Sequence, residues 1–278
     1  MRLLPPISPR TITAGRLLIA LVAVLPILIL FRDTRHGFKT ALRHPMAYVL
    51  ALLLAGYYLL ATAAFQMAPV AEVALLLSTP PLFILAFRQI RGDAPARAEI
   101  GGALVSMGGM AMILVPKISF AGDLPLHHLY GNIIAICAAA LIAFYAYIYR
   151  ILAKSGSAPE TSGVALLTFV SGGTFLVLLL SAMPTPSGLM SLNEDTLFVL
   201  LGLGVFSTAL PTIGFALASR HLPAIITATI SLFIPVFAGL FAFLILGESL
   251  SLMFMVGCIF VLGGVWVIIR QGRSKASD

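Results

Sequence analysis

The feature that most restricts this chain is a pattern of prolines, glycines and acidic residues that occurs twice inside apolar sequence. One copy runs Pro69, Glu72, Pro81, Gly92-Asp93, Gly102 and Gly108-Gly109. The other runs Pro223, Pro235, Gly247-Glu248, Gly257 and Gly263-Gly264. In each copy the two prolines stand twelve residues apart, and the Gly-acid pair begins ten residues before the next matched glycine. A shift of one residue between Phe87 and Gly92 aligns the whole stretch. An odd number of apolar segments separates the copies, so across a bilayer they run in opposite senses, as inverted repeats do.

The bilayer follows from composition. Hydrophobic residues are 60% of the chain and charged residues 10%, with a mean hydropathy of +1.07. Apolar runs of such length can satisfy their backbone in lipid only as helices, and the alternation a barrel needs is absent. The formal charge of +7 does not indicate nucleic acid, because the basic residues sit in short connections rather than in a stripe interleaved with aromatics. Cys137 and Cys258 lie in separate apolar runs and form no disulfide or metal motif.

The expected fold is an all-α bundle of nine spans, approximately Thr13–Phe31, Met46–Met67, Ala71–Ile90, Ala96–Val115, Gly131–Ala153, Ser162–Met183, Thr196–Ser219, Ala224–Leu246 and Leu250–Ile269. The start, Met1-Arg2 before an apolar centre, resembles a signal peptide but lacks a small-residue cleavage site, so the first run reads as a retained helix. Connections carry turn chemistry at Gly92-Asp93-Ala94-Pro95, Lys154-Ser155-Gly156 and Met183–Gly188. Arg32, Arg35, Lys39 and Arg43 fill the first connection. Arg88, Arg91 and Arg97 fill the third, Arg150 and Lys154 the fifth, Arg220 the seventh, and Arg270, Arg273 and Lys275 the tail. The even connections hold Lys117 against Asp123, Glu194, Asp195 and Glu248. The odd connections and the C-terminus are therefore expected in the cytoplasm.

Two repeats are expected, residues 1–116 with four spans and residues 117–278 with five spans and a cytoplasmic tail. Ser8-Pro9-Arg10-Thr11 before the first span matches Ala158-Pro159-Glu160-Thr161 before the sixth. A five-plus-five design would place one more helix ahead of residue 1.

The chain resembles the drug/metabolite transporter superfamily, EamA type, over nearly its whole length. The resemblance rests on Ser8-Pro9 and Arg16-Leu17-Leu18, on Ala68-Pro69 and Thr79-Pro80-Pro81, and on Leu222-Pro223 and Ile234-Pro235-Val236. Leu246-Gly247-Glu248, Gly257 and Gly263-Gly264 complete the set. It implies ten spans as two inverted five-helix repeats, of which the first helix is missing here, and movement of a small metabolite or drug-like solute by alternating access. Gly92-Asp93 departs from the family's Gly-Glu. The implied setting is a bacterial plasma membrane, with a small-molecule solute and lipid as partners, room for a homodimer, no nucleic acid and no cofactor.

Glu72 is the sharpest candidate for a binding or proton-carrying role, because a carboxylate entering a membrane helix is costly. Its structural reading is an acid in the first turn after Pro69, favoured by the helix dipole. Arg16 either attracts anionic solute groups or snorkels, and the family's arginine there inclines the reading to structure or gating. Tyr57, Tyr58, Phe65, Gln66, Ser78, Thr79, Tyr145, Tyr149, Thr208, Thr212, Thr227 and Ser231 are candidate cavity lining, or helix-to-helix glue. Pro80-Pro81, Pro211 and Pro235 free backbone carbonyls. Gly247-Glu248 and Gly92-Asp93 read as turns, and Gly101-Gly102, Gly108-Gly109 and Gly263-Gly264 as packing positions. His127-His128 reads as an exposed loop pair without further metal ligands. A secondary transporter is the leading reading. The alternatives are a shortened, non-transporting membrane protein and, less favoured, a membrane-embedded enzyme, for which converging catalytic side chains are lacking.

Overall fold

The computed structural model describes residues 9–30, 32–114, 126–181, 198, 201–202, 204–234, 236–237, 240, 244 and 251–277, and every regular element among them is helical. In order these are α1 (Pro9–Leu30), α2 (Arg32–Leu42), α3 (Pro45–Met67), α4 (Val70–Leu76), α5 (Pro80–Ile90), α6 (Arg97–Leu114), α7 (Leu126–Lys154) and α8 (Thr161–Ser181). A π-helical segment (Val205–Ala209), α9 (Leu210–His221), α10 (Ala224–Ile230) and α11 (Leu252–Ser277) follow. Among the described residues, four stretches are long and apolar enough to cross a membrane: Pro45–Met67, Val70–Ile90, Leu126–Lys154 and Leu252–Gln271. Ile12–Pro26 and Thr161–Val170 are shorter apolar helices. Of the expected motif residues, Pro235, Gly247 and Glu248 lie outside the described residues.

Two departures from the expected spans have local causes. The first connection is not a loop, because Arg32–Leu42 forms a helix with Gly37 and Ala41 buried and its charged residues exposed. The third span is interrupted at Leu77–Thr79, where Pro80 and Pro81 begin α5 without the N–H groups a continuous helix needs.

The helices group into two compact units, each drawing on both halves of the sequence. One comprises Met1–Gln66 with Ile148–His221, the other Met67–Tyr147 with Leu222–Asp278. In the first, α1 and α2 pack on α8, and α1 packs on the π segment. Close approach there depends on absent side chains. A Cβ on Gly163 would strike Ala41 and the Gly37 carbonyl, and one on Gly172 would lie 2.8 Å from the Ala55 methyl.

In the second unit α6 and α11 form the principal pair. Gly102 meets the Gly264 carbonyl and Gly109 meets the Gly257 carbonyl, so residue numbers rise along one helix as they fall along the other. The pair is antiparallel. Gly102 corresponds to Gly257 in the sequence repeat and Gly109 to Gly264, so each contact maps onto the other when the copies are exchanged. Only the second glycine of each doublet takes part; around Gly101, Gly108 and Gly263 a Cβ would meet nothing within 4 Å. Met110, Ile113, Val261 and Val265 extend the seam as a buried apolar cluster, and Phe254 and Leu232 close it.

Two expected turns share one construction. At the end of α5 the Asp93 N–H donates to the Arg88 carbonyl at 3.0 Å and the Gly92 N–H to Gln89 at 3.1 Å, with Gly92 at φ +77°. At the end of α7 the Ser157 N–H donates to Leu152 at 3.0 Å and the Gly156 N–H to Ala153 at 3.3 Å, with Gly156 at φ +71°. Both are Schellman caps, in which glycine supplies the left-handed residue.

Candidate functional site

Arg16 stands two turns into α1, and its guanidinium is enclosed by α3 and by the chain around the π segment. The residue is 7% exposed. Its Nε donates to Thr208 Oγ1 at 2.9 Å, and one terminal nitrogen reaches Thr62 Oγ1 at 3.4 Å. The other donates to the Ser207 carbonyl at 3.1 Å and to Ser207 Oγ at 3.2 Å. The cation also lies over the Tyr58 ring, 5.0 Å from its centroid. Each of these partners is neutral, and no salt bridge reaches Arg16 among the described residues.

The backbone explains why these acceptors are available. Ser207 precedes Pro211 by four residues, so its carbonyl lacks the N–H donor that an α-helix would supply. The chain is wound as a π-helix there, with the Leu210 N–H donating to Val205. Gly204 lets this segment reach α1: a Cβ at that position would collide with Ile19 and come 3.2 Å from the Arg16 carbonyl. Thr62 donates back to the Tyr58 carbonyl at 2.7 Å, one turn earlier in α3. Tyr58 OH shares a 2.7 Å bond with Thr212 Oγ1, and the Tyr57 ring lies 5.3 Å from that of Tyr58.

Of the residues expected from sequence, the structure thus brings together Arg16, Tyr58, Thr208 and Thr212, with Tyr57 beside them. Two members of the cluster escaped the sequence reading. Thr62 was signalled by its four-residue spacing from Tyr58, and Ser207 by its four-residue spacing from Pro211.

The remaining candidates lie elsewhere. In the second unit Glu72 is half-buried in the first turn of α4 and accepts from Asn132 Nδ2 at 3.0 Å. Asn132 also escaped notice, although it is the lone amide in the apolar run of α7. Thr79 and Ser78 bond the carbonyls of Leu76 and Ala74, both at 2.7 Å, and Thr227 and Ser231 bond carbonyls four residues back at 3.4 Å. These hydroxyls serve their own helices. Tyr145 is fully buried, and Gln66 is exposed. Tyr149 is fully buried and donates to the Pro159 carbonyl at 3.0 Å, tying the turn after α7. His127 and His128 occupy the first turn of α7 rather than a loop.

Two ion-pair clusters brace helix ends. Arg88 spans Asp93 at 2.8 Å and Glu99 at 2.9 Å, and Glu99 also accepts the Ala96 N–H at 2.8 Å. Glu99 thus caps the start of α6 through the Ala96 N–H, one half of a capping box, since Ala96 has no side-chain oxygen to return a bond. In the first unit Arg220 pairs with Glu160 at 2.6 Å, while Arg150 donates to the Arg220 carbonyl at 2.8 Å. The hydrogen bond from Arg220 holds the Glu160 carboxyl below its ordinary range. A lowered carboxyl pKa contributes stability that is present above the unfolded value, about 4.3, and lost as pH falls through the folded value. Glu160→Gln is accordingly expected to flatten the acid limb of a melting-temperature profile below about pH 4.3. Parallel acid limbs in the two proteins would refute the assignment. The side chain is half exposed, so the effect at neutral pH is small.

The EamA-like transporter family model matches residues 1–115 and 129–270. A protein of Archaeoglobus fulgidus named as an uncharacterized transporter is 26% identical over 261 residues, covering 94% of this chain and 87% of that protein. Another of that name, from Clostridium kluyveri, is 30% identical over 152 residues, covering 53% of this chain and 47% of its own length. A solved crystal structure superposes with a TM-score of 0.75 at 19% identity, over 96% of this chain and 90% of the other, and so shares the fold. With apolar helices of membrane-crossing length and a family model spanning both halves of the sequence, this chain belongs to the EamA-like transporter family and is a multi-pass membrane transporter.

Proposed function

We propose that this transporter moves a small metabolite or drug-like solute by alternating access, as a secondary transporter, with Arg16 at its solute-responsive centre. Nine spans in a bacterial plasma membrane, a cytoplasmic C-terminus and the repeats 1–116 and 117–278 belong to the same reading. The observation that carries it is the buried guanidinium held, among the described residues, by neutral groups at a helix irregularity. A charge inside a membrane helix is expensive and marks substrate or ion pathways. Hydroxyls and a carbonyl satisfy its hydrogen bonds, no described residue supplies a counter-charge, and an acidic group on the solute would do so. Irregular backbone at membrane depth is tolerated where it is buried or lines a cavity, which suits the Val205–Ala209 segment to such a site.

Glu72, paired with Asn132, is the titratable group best suited to proton coupling. The test is a mass-spectrometric screen of a metabolite mixture with sealed vesicles containing the chain, run with and without an imposed pH gradient. Solutes with carboxylate or phosphate groups are expected to move only in the presence of the protein, and Glu72→Gln is expected to remove the dependence on the gradient. Transport confined to cationic solutes would overturn the role of Arg16. An unchanged gradient response in Glu72→Gln would overturn the coupling.

A further inference from the structure

The helix α2 carries Arg32, Arg35, His36 and Lys39, and Arg43 follows one residue beyond its end. At 100° per residue all five fall within a stripe about 100° wide. Each is exposed, whereas Gly37 and Ala41, on the opposite side, are buried. The buried side is fixed by packing: a Cβ on Gly37 would lie 2.6 Å from Ser162 Oγ at the start of α8. The basic stripe is therefore the outward face of an anchored helix, not one orientation of a mobile segment.

The position of α2 along the chain sets its depth. It begins two residues after α1 ends and finishes three residues before the apolar span Pro45–Met67. A charged helix joined so closely to apolar helices at both ends lies at the membrane surface, where phospholipid headgroups are. Asp33, the acid on this helix, lies about 100° from Arg32 and outside the stripe. Glu160, just ahead of α8, pairs with Arg220 and also faces His36 electrostatically, whereas Arg32, Arg35, Lys39 and Arg43 make no ion pair among the described residues. Two surface grooves run along it. Arg32, Arg35, His36 and Lys39 border one of about 260 Å³, and His36, Lys39, Thr40 and Arg43 border one of about 280 Å³.

We infer that α2 is a docking surface for anionic phospholipid headgroups, with the Arg32, Arg35, Lys39 and Arg43 side chains holding the lipid phosphates. Guanidinium groups suit this task because their planar donors pair with phosphate oxygens bidentately. Orientation of a membrane protein requires only that positive charge be present in the connection. It does not require the charges to share one helical face, with a buried face opposite.

The test is native mass spectrometry of the purified full chain, titrated separately with phosphatidylglycerol, phosphatidylcholine and inorganic phosphate. Phosphatidylglycerol is expected to bind about tenfold more tightly than phosphatidylcholine, with inorganic phosphate a weak competitor. Lys39→Gln should weaken phosphatidylglycerol about fivefold, the worth of one basic residue near an anionic surface. The double change Arg32→Asp with Asp33→Arg leaves the charge of the connection unaltered but puts an acid in the stripe. It should weaken phosphatidylglycerol by on the order of tenfold or more and leave phosphatidylcholine unchanged. Equal binding of the two lipids, or wild-type phosphatidylglycerol binding by the double variant, would overturn the inference. Displacement of the lipid by equimolar inorganic phosphate would overturn it too, by identifying a free-anion site.

Discussion

Arg16→Gln is expected to lower transport by on the order of 30-fold, the equivalent of about 2 kcal/mol lost from a charged, hydrogen-bonded and ring-stacked contact. Lysine in its place keeps the charge but cannot reach Thr208, Thr62 and Ser207 together, because an ammonium lacks the planar fork. Arg16→Lys should therefore separate the two roles of the guanidinium. If Arg16 meets an acidic group on the solute, the lysine variant retains much of the maximal rate and shows a raised KM. If Arg16 only ties α1 to the π segment, the maximal rate falls and KM stays fixed. Thr208→Val provides the complementary test, since it removes one acceptor while leaving the cation in place, and should cost about 1.5–3 kcal/mol in stability. Wild-type kinetics in Arg16→Gln would dismiss the cluster as a functional centre.

The second large effect is expected in the α6–α11 seam. A Cβ on Gly109 would lie 2.5 Å from the Gly257 carbonyl and 2.7 Å from both Phe260 Cβ and the Val261 nitrogen. Two of those three atoms are backbone, so the site cannot yield by rotating a side chain. Gly109→Ala should destabilise the protein by about 3 kcal/mol, the upper end for overpacking. Gly264→Val, whose added atoms would meet the Gly102 carbonyl and Ser106, should prevent recovery of folded protein. Gly108→Ala is the matched control. It meets nothing within 4 Å and should be neutral, or stabilising by up to about 1 kcal/mol through helix propensity. Thermal stability followed by size-exclusion chromatography distinguishes these outcomes, and equal loss from Gly108→Ala and Gly109→Ala would refute the seam.

Much of this architecture was legible before any coordinates. Long apolar runs in lipid leave the backbone no choice but helix, and the spacing of Gly102, Gly109, Gly257 and Gly264 marked the helices that approach closely. The Gly92 and Gly156 turns followed from the need for a left-handed residue at a helix end. Glu72 stood out because a carboxylate entering a membrane helix is costly, Arg16 because it stands where the resembling family carries an arginine, and Pro211 because it removes a donor. Each of these signals is local, arising from one residue type and its neighbours in the chain.

What the sequence could not supply was which local features meet. Residue spacing said that both glycines of Gly108-Gly109 and Gly263-Gly264 were small, but only the facing of two helices decided that Gly109 and Gly264 are buried while their neighbours are open. Thr208 and Arg16 are 192 positions apart, and a hydrogen bond at that separation leaves no periodic trace in either segment. The same holds for Glu72 and Asn132, 60 positions apart. The chain by itself determined that it is a membrane transporter built of helices, because solvation of the backbone and the order of its small and helix-breaking residues are properties of sequence. Tertiary structure alone decided that the carbonyl exposed by Pro211 faces the guanidinium of Arg16, because that pairing depends on the packing of α1 against a distant segment.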